Sequence, residues 1–199
     1  MEKSEWDQRY RANDLVWGWE PNQLLVQEVE GMDPGRSLDM ACGEGRNAIW
    51  LASQGWQSTG VDFSQEGLKK GKQLAIEKGL PVDWIAADLR EWQPPELAYD
   101  LIVSLYVHMP PSDLTNVHKN AVKALVPGGT ILVIGHDLTN LTDGYGGPPF
   151  PEVLFTPERI AEDFQGLVIE KAERAKRIVS TDEGERTAID TLVRVRKPA

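Results

Sequence analysis

Short apolar runs alternate with amphipathic stretches between residues 36 and 137, and this alternation predicts an α/β fold. Strand-like runs occupy residues 36–41, 56–62, 81–88, 99–107 and 130–137. Stretches with helical spacing fill residues 45–55, 64–79 and 111–129. Ser64 is placed to cap the second of these helices, and Gly55 and Gly79 to end the first two. So regular an alternation predicts a parallel, doubly wound sheet with right-handed crossovers.

The two ends of the chain follow other patterns. Residues 1–12 predict a short polar helix, and residues 22–32 predict a second helix capped by Asn22. Residues 138–155 form a loop rich in Gly and Pro, and a short helical stretch follows it. Two β-like runs, at 167–179 and 187–198, are close enough to pair antiparallel. We expect one α/β domain over residues 1–199, with an antiparallel edge.

The composition and net charge of the chain limit the classes of partner that it can bind. The formal net charge is −10 and the pI is near 4.8, whereas nucleic-acid binding requires clustered Lys and Arg, so we expect no nucleic-acid partner. Basic residues late in the chain, such as Arg174 and Arg177, alternate with apolar and acidic ones, which favours a solvated strand face. The single cysteine, Cys42, excludes an intramolecular disulfide. Without a signal peptide or a membrane-spanning run, we expect a cytoplasmic protein with no membrane partner.

Gly43, Gly45 and Ala48 form a G-x-G-x-x-A frame after the first predicted strand. In open α/β sheets, ligands bind at this carboxyl edge. One interpretation is a dinucleotide site, with a pyrophosphate at the helix N-terminus and Asp62 on the ribose. The other is an S-adenosylmethionine site, because the carboxylate of Asp39 would repel a pyrophosphate but suits a cationic amino-acid portion. Asp62 fits both ligands and does not discriminate between them.

Two further features favour S-adenosylmethionine. Asp88 ends the third predicted strand, where its carboxylate can accept from an adenine amino group. A length of 199 residues leaves little room for the second catalytic domain of many dehydrogenases. Asp39, the two glycines, Asp62, Asp88 and the run 127–129 (Pro-Gly-Gly) follow one another on successive elements, and this order is a specific signal.

With these motifs the sequence resembles the class I S-adenosylmethionine-dependent methyltransferases. LDMACGEGRNA is similar to their first motif, GVDFS to the acidic motif of the second strand, AADLREW to the adenine motif, and LVPGGTILVIG to the segment entering strand five. The resemblance implies a Rossmann-like, three-layer αβα fold with seven strands in the order 3-2-1-4-5-7-6 and strand seven antiparallel. Residues 6–25, 42–64 and 146–164 more narrowly resemble the tellurite-resistance-type methyltransferases of small soft acceptors.

The resemblance also implies a cofactor site for S-adenosylmethionine and no metal. Its expected contacts are Tyr10, Trp17, Asp39, Ala41, Gly43, Gly45, Asn47, Asp62, Phe63, Asp88 and Leu89. The two glycines would admit the cofactor to the backbone, Asp39 would anchor its amino end, Asp62 the ribose and Asp88 the adenine. Turn capping is the alternative role of the three aspartates. The N-terminal segment 1–32 would cover the cofactor, with Trp17 and Trp19 either as an aromatic lid or as core packing.

Candidates for acting on the methyl acceptor follow the fourth and fifth strands. They are Tyr106, His108 and His136. A packed, hydrogen-bonded histidine is the alternative for His108, and a base is needed only if the acceptor must lose a proton. Arg46 either binds an anionic acceptor or remains on its helix surface. The loop 138–155 is interpreted as a substrate-side cover, with a passive connector as the alternative.

These residues predict a methyltransferase that acts on a small molecule, with thiols and chalcogen species among the candidate acceptors. Two other functions stay open. One is a non-catalytic, S-adenosylmethionine-binding regulatory module, and the other is an NAD(P)-binding oxidoreductase. The protein is expected to be a monomer or a homodimer.

Overall fold

The computed structural model of the protein describes residues 2–199 and contains a seven-stranded sheet in the order β3-β2-β1-β4-β5-β7-β6. The strands are β1 Arg36–Met40, β2 Gln57–Asp62, β3 Val82–Ala86, β4 Tyr99–Leu105, β5 Leu125–His136, β6 Val168–Thr181 and β7 Gly184–Arg196. Strands β1 to β5 pair in parallel, and β7 runs antiparallel to both β5 and β6. The predicted strand order and the antiparallel strand are confirmed.

Helices cover both faces of the sheet. They are α1 Lys3–Ala12, α2 Gln23–Val29, α3 Arg46–Ser53, α4 Gln65–Glu77, α5 Pro111–Ala124, α6 Asn140–Asp143 and α7 Pro157–Glu162. Along β4, Ile102 packs in the cluster that α5 and α7 complete, whereas Leu101 and Val103 pack in the cluster that α2 and α3 complete. Successive strand residues point to opposite faces, so this alternation gives the predicted three layers.

The fifth strand begins earlier than its sequence pattern predicts. The helix expected over 111–129 ends at Ala124, because Leu125 is already extended and pairs with Tyr99 at the start of β4. The Pro-Gly-Gly run therefore lies inside β5 rather than at the end of the helix. Within residues 2–199, no helix combines the length and the apolar character needed to cross a membrane.

Candidate functional site

The loop between β1 and α3 turns tightly at the carboxyl edge of the sheet. Ala41, Gly43 and Gly45 have positive φ angles of 55°, 56° and 75°, a region that glycine enters without a steric penalty. A Cβ on Gly43 would lie 2.5 Å from Tyr10 Oη, and a Cβ on Gly45 would lie 2.2 Å from the Trp84 ring. The absence of a Cβ on Gly45 thus makes room for the Trp84 ring, and its expected contact with the cofactor stays a prediction.

Asp39 lies near the carboxyl end of β1, and its carboxyl group is buried, with the residue only 1% exposed. Its Oδ2 accepts a hydrogen bond of 3.1 Å from the Ala48 backbone N–H at the start of α3. Within residues 2–199, no Lys, Arg or His side chain forms an ion pair with it. Burial raises the pKa of Asp39 to about 7, against the opposing effects of the Ala48 N–H and the more distant Arg46 guanidinium. A buried carboxylate without a paired cation suits a cationic ligand.

Asp62 ends β2 and caps two turns at once. Its Oδ2 accepts from the Gly43 N–H and its Oδ1 from the Ser64 N–H, each at 2.8 Å. Burial raises the pKa of Asp62, although both N–H groups oppose that shift. Each carboxylate oxygen can accept from a further donor. The capping role and a role in binding ribose hydroxyls are therefore compatible.

Asp88 follows β3 and is held by a side chain that the sequence did not single out. Arg90 Nη2 lies 2.6 Å from Asp88 Oδ2, and Arg90 Nε lies 3.0 Å from Asp88 Oδ1. This hydrogen bonding to Arg90 lowers the pKa of the Asp88 carboxyl group. An adenine amino group at Asp88 would share the carboxylate with Arg90. Leu89 is buried in the core beside it.

The N-terminal segment is fastened over the glycine loop by two further residues that sequence reasoning missed. Glu44 is buried, and its Oε2 accepts from the Val16 N–H at 2.8 Å. Lys70 Nζ lies 3.2 Å from Glu44 Oε1. The same ammonium donates to the backbone carbonyls of Tyr10, Asn13 and Asp14. The predicted cover is therefore in contact with the loop, with Tyr10 buried beneath it.

The remaining predicted cofactor contacts lie around this edge in different environments. Trp17 and Trp19 are 47% and 54% exposed, so neither packs in the core. The Arg9 guanidinium carbon stands 4.8 Å from the centre of the Trp17 ring. Asn47 is buried on α3 and accepts from the Asn22 N–H, which links α3 to the start of α2. Ala41 is exposed and Phe63 is half-buried.

The three acceptor-side candidates come together beyond β4 and β5. The His136 ring centre is 5.0 Å from that of Tyr106 and 5.6 Å from that of His108. His108 Nδ1 lies 2.8 Å from the Val153 carbonyl oxygen, and His108 Nε2 accepts from the His136 N–H at 3.3 Å. Burial lowers the pKa of His108 to about 4. His108 is thus a packed, hydrogen-bonded, neutral side chain.

The loop 138–155 lies directly on this cluster. The backbone carbonyl of Val153, in the loop, is hydrogen-bonded to His108 Nδ1. A Cβ on Gly147 would lie 2.8 Å from His136 Cγ. Gly147 has φ +85°, so the loop needs glycine there both for its backbone and for its contact with the imidazole.

Asp190 and Arg177 complete the cluster and were not predicted. Asp190 is fully buried on β7, opposite His136 in the register of β5 and β7. Its Oδ2 accepts from Tyr106 Oη at 2.7 Å and from Arg177 Nε at 2.8 Å. The Arg177 side chain is only 19% exposed, so the expected solvated face is wrong for this residue. The isolated acidic residue in the run AIDTLV was the available signal, since a charge inside an apolar strand needs a partner.

Residues 38–129 match a family described as a methyltransferase domain. Over 111 residues the chain is 33% identical to a ubiquinone biosynthesis O-methyltransferase of Idiomarina loihiensis, covering 54% of this chain and 45% of that protein. Over 129 residues it is 30% identical to ribosomal RNA small subunit methyltransferase C of Alcanivorax borkumensis, covering 59% and 38%. The chain thus spans about half the length of the curated relatives it matches, or less.

Solved structures share the fold. N-methyltransferase NodS from Bradyrhizobium japonicum, in complex with S-adenosyl-L-homocysteine, aligns with a TM-score of 0.76 at 20% identity, covering 100% of both chains. TehB from Haemophilus influenzae aligns with a TM-score of 0.74 at 20% identity, covering 88% of this chain and 62% of that one. The family match runs through the glycine loop and the strands on either side of it, and the strand order agrees with it. The match to a methyltransferase-domain family therefore covers residues 38–129, and the chain shares the fold of these solved structures.

Proposed function

We propose that the protein transfers a methyl group from S-adenosylmethionine to a small-molecule acceptor in the cytoplasm. The observation that carries the proposal is Asp39, a buried carboxylate without a paired cation among residues 2–199, at the carboxyl end of β1. A pyrophosphate would be repelled there, whereas an ammonium or sulfonium group would be attracted. The carboxylates at this edge, which are hydrogen-bond acceptors, therefore fit S-adenosylmethionine better than a dinucleotide.

Each part of the cofactor has a candidate partner in this chain. Asp39 would hold the amino end, Asp62 the ribose hydroxyls, and Asp88 with the Leu89 N–H the adenine. When bound, S-adenosylmethionine supplies an electrophilic methyl group on a sulfonium centre. The contribution of the chain is then to orient the acceptor and to exclude water, and good orientation alone can reach effective molarities of about 10⁵–10⁸ M. The N-terminal segment over Gly43 and the loop over His136 are suited to that task.

A small molecule is favoured as the acceptor because the N-terminal segment and the loop 138–155 contact the site, and because the chain is acidic. One relative is named as an rRNA methyltransferase, but a net charge of −10 opposes the approach of RNA. Other relatives are named for O-methylation and N-methylation. Phenols and amines therefore join thiols and chalcogen species as the acceptor classes to test.

The proposal is tested by incubating the purified chain with S-adenosylmethionine and a panel of acceptors. The panel contains a catechol, an aromatic thiol, a primary amine and selenite, and S-adenosylhomocysteine formation is the readout. Acceptor-dependent product is the expected result. Cofactor binding without turnover on any acceptor would favour the regulatory module, and binding of NAD alone would favour the oxidoreductase.

A further inference from the structure

We propose that His136 is the general base of this site and that Asp190 is a positioning residue, which holds the imidazole with Nε2 free to take a proton. The acceptor would then be a nucleophile that must lose a proton on methylation, such as a hydroxyl or a neutral thiol. This inference rests on the proposed methyl transfer and names the substrate class of the same site.

Two buried atoms face each other without other partners. His136 Nδ1 and Asp190 Oδ1 lie 3.4 Å apart. Both are buried, and neither forms a hydrogen bond with another group among residues 2–199. Asp190 Oδ2 already accepts from Tyr106 and from Arg177. Oδ1 is therefore the oxygen left for the imidazole, and a small rotation of either side chain would align the pair.

The partner chosen for Nδ1 determines which nitrogen can act as a base. A carboxylate only accepts hydrogen bonds, so Asp190 favours the tautomer with the proton on Nδ1 and the lone pair on Nε2. Within the described chain, His136 Nε2 has no hydrogen-bond partner and is not among the buried unpaired atoms. The His136 side chain is 15% exposed, so this open edge is where an acceptor can reach it.

Burial, more than the neighbouring charges, favours the neutral form of His136. The titratable groups that face it are His108 beyond β4, Tyr106 beside it, Arg177 on β6 and Asp190 on β7. Burial lowers the pKa of His136, with Asp190 opposing this shift and Arg177 adding to it. A neutral imidazole at pH 7 is the form that can accept a proton.

The other two candidates are less suited to the role. Both ring nitrogens of His108 are engaged, one with Val153 and one with the His136 N–H. The Tyr106 hydroxyl donates to Asp190, and burial raises its pKa well above the ordinary value. Tyr106 therefore fixes Asp190 instead of taking a proton from the acceptor.

The atoms balance without a further reactant. The acceptor heteroatom forms a bond to the methyl carbon while the carbon–sulfur bond breaks, and sulfur keeps that electron pair. The acceptor proton passes to His136 Nε2 and then leaves to solvent through the exposed edge of the ring. No oxidant or reductant takes part.

The tautomer can be measured directly, because the chain has three histidines, His108, His118 and His136. Long-range proton–nitrogen NMR spectra of the labelled protein should show His136 with the proton on Nδ1. Asp190→Asn should change the His136 signals, because an amide can also donate to Nδ1. Asp163→Asn is the matched control: Asp163 lies 2.8 Å from His118 Nδ1 in a second buried pair. A wild-type His136 protonated on Nε2, or one unaffected by Asp190→Asn, would overturn the inference.

Activity supplies the second test. With a catechol at pH 7, His136→Gln should lower kcat by about 10²–10⁴-fold. Asp190→Asn should lower kcat by a smaller factor, and Asp163→Asn should leave kcat unchanged. Above the pKa of the acceptor, or with a thiol that is already ionised, the loss should shrink to less than tenfold. An equal loss under all these conditions, or none, would overturn the base role.

If the wild type methylates no acceptor, the proposed function fails and the inference fails with it. If the wild type methylates an acceptor and Asp190→Asn does not change that turnover, the inference alone is overturned.

Discussion

The Lys70 ammonium lies 3.2 Å from the Glu44 carboxylate, and this ion pair joins the glycine loop to the N-terminal segment. Glu44 stands between Gly43 and Gly45 in the loop, while Lys70 projects from α4. Between them they bind backbone groups of residues 10–16. The position of the cover over the cofactor edge therefore depends on two charged side chains rather than on apolar packing alone.

Replacing Lys70 should loosen the cover. Lys70→Met removes donors to three carbonyl groups and leaves the buried Glu44 carboxylate without its cation, so the local stability should fall by about 1–3 kcal/mol. Hydrogen exchange should show faster exchange of the amides of residues 10–16. Lys69→Met, at an exposed position on the same helix, is the control. Equal protection of those amides in both variants would mean that the ion pair does not hold the cover.

Asp39 should make the stability of the cofactor-free protein fall as pH rises. Its pKa is raised from 3.8 to about 7, so between these values the folded state binds more protons than the unfolded state, and unfolding becomes easier as pH increases. Asp39→Asn removes this dependence. From pH 4 to pH 8, the wild type should lose up to about 4 kcal/mol in its free energy of unfolding relative to the variant, as measured by urea denaturation.

Asp137 provides a control, because its contribution to stability should change with pH in the opposite direction to that of Asp39. Hydrogen bonds from Thr191, Thr139 and Arg174 outweigh its burial and lower its pKa, so its contribution is present above the unfolded value and is lost on acidification. The stability difference between the wild type and Asp137→Asn should shrink as pH falls. If the Asp39 and Asp137 variants showed the same slope, the assigned environment of Asp39 would be wrong.

Gly43→Ala should destabilise the protein through two separable effects. A non-glycine residue at φ +56° is strained by about 1–3 kcal/mol, and the added Cβ would press on Tyr10 Oη. Tyr10→Phe removes the hydroxyl, so the double variant should regain the stability lost to the clash but not the stability lost to backbone strain. Urea denaturation of the four proteins in the cycle measures this coupling. Purely additive losses would show that Tyr10 does not rest on Gly43.

The periodicity of the sequence predicted the parallel strands and most helix ends, because these depend on local spacing and on capping residues such as Ser64. The end of α5 was missed, since Leu125 leaves the helix to pair with Tyr99, which is a long-range contact. Asp190 was missed for a similar reason. Its position beside His136 depends on the register of β5 and β7, a pairing between strands far apart in the sequence that no local pattern encodes.

The site was predictable to different extents on its two sides. Asp39 and Asp62 follow strands whose ends meet at one edge of a parallel sheet, so their proximity follows from the fold. The Glu44–Lys70 pair joins residues from different elements, and which carboxylate a given lysine reaches depends on side-chain packing. Arg90 was missed for the same reason, because the sequence motif does not imply that its guanidinium donates to the Asp88 carboxylate.

Calorimetric titration with S-adenosylhomocysteine, and with NAD in parallel, tests the central claim most directly. The wild type should bind S-adenosylhomocysteine with micromolar affinity and should not bind NAD. Asp62→Asn should weaken that binding about tenfold or more. Asp137→Asn, which alters another buried strand-end aspartate that accepts from an N–H two residues on, should not. Binding of NAD without S-adenosylhomocysteine would contradict the account and assign the glycine loop to a pyrophosphate.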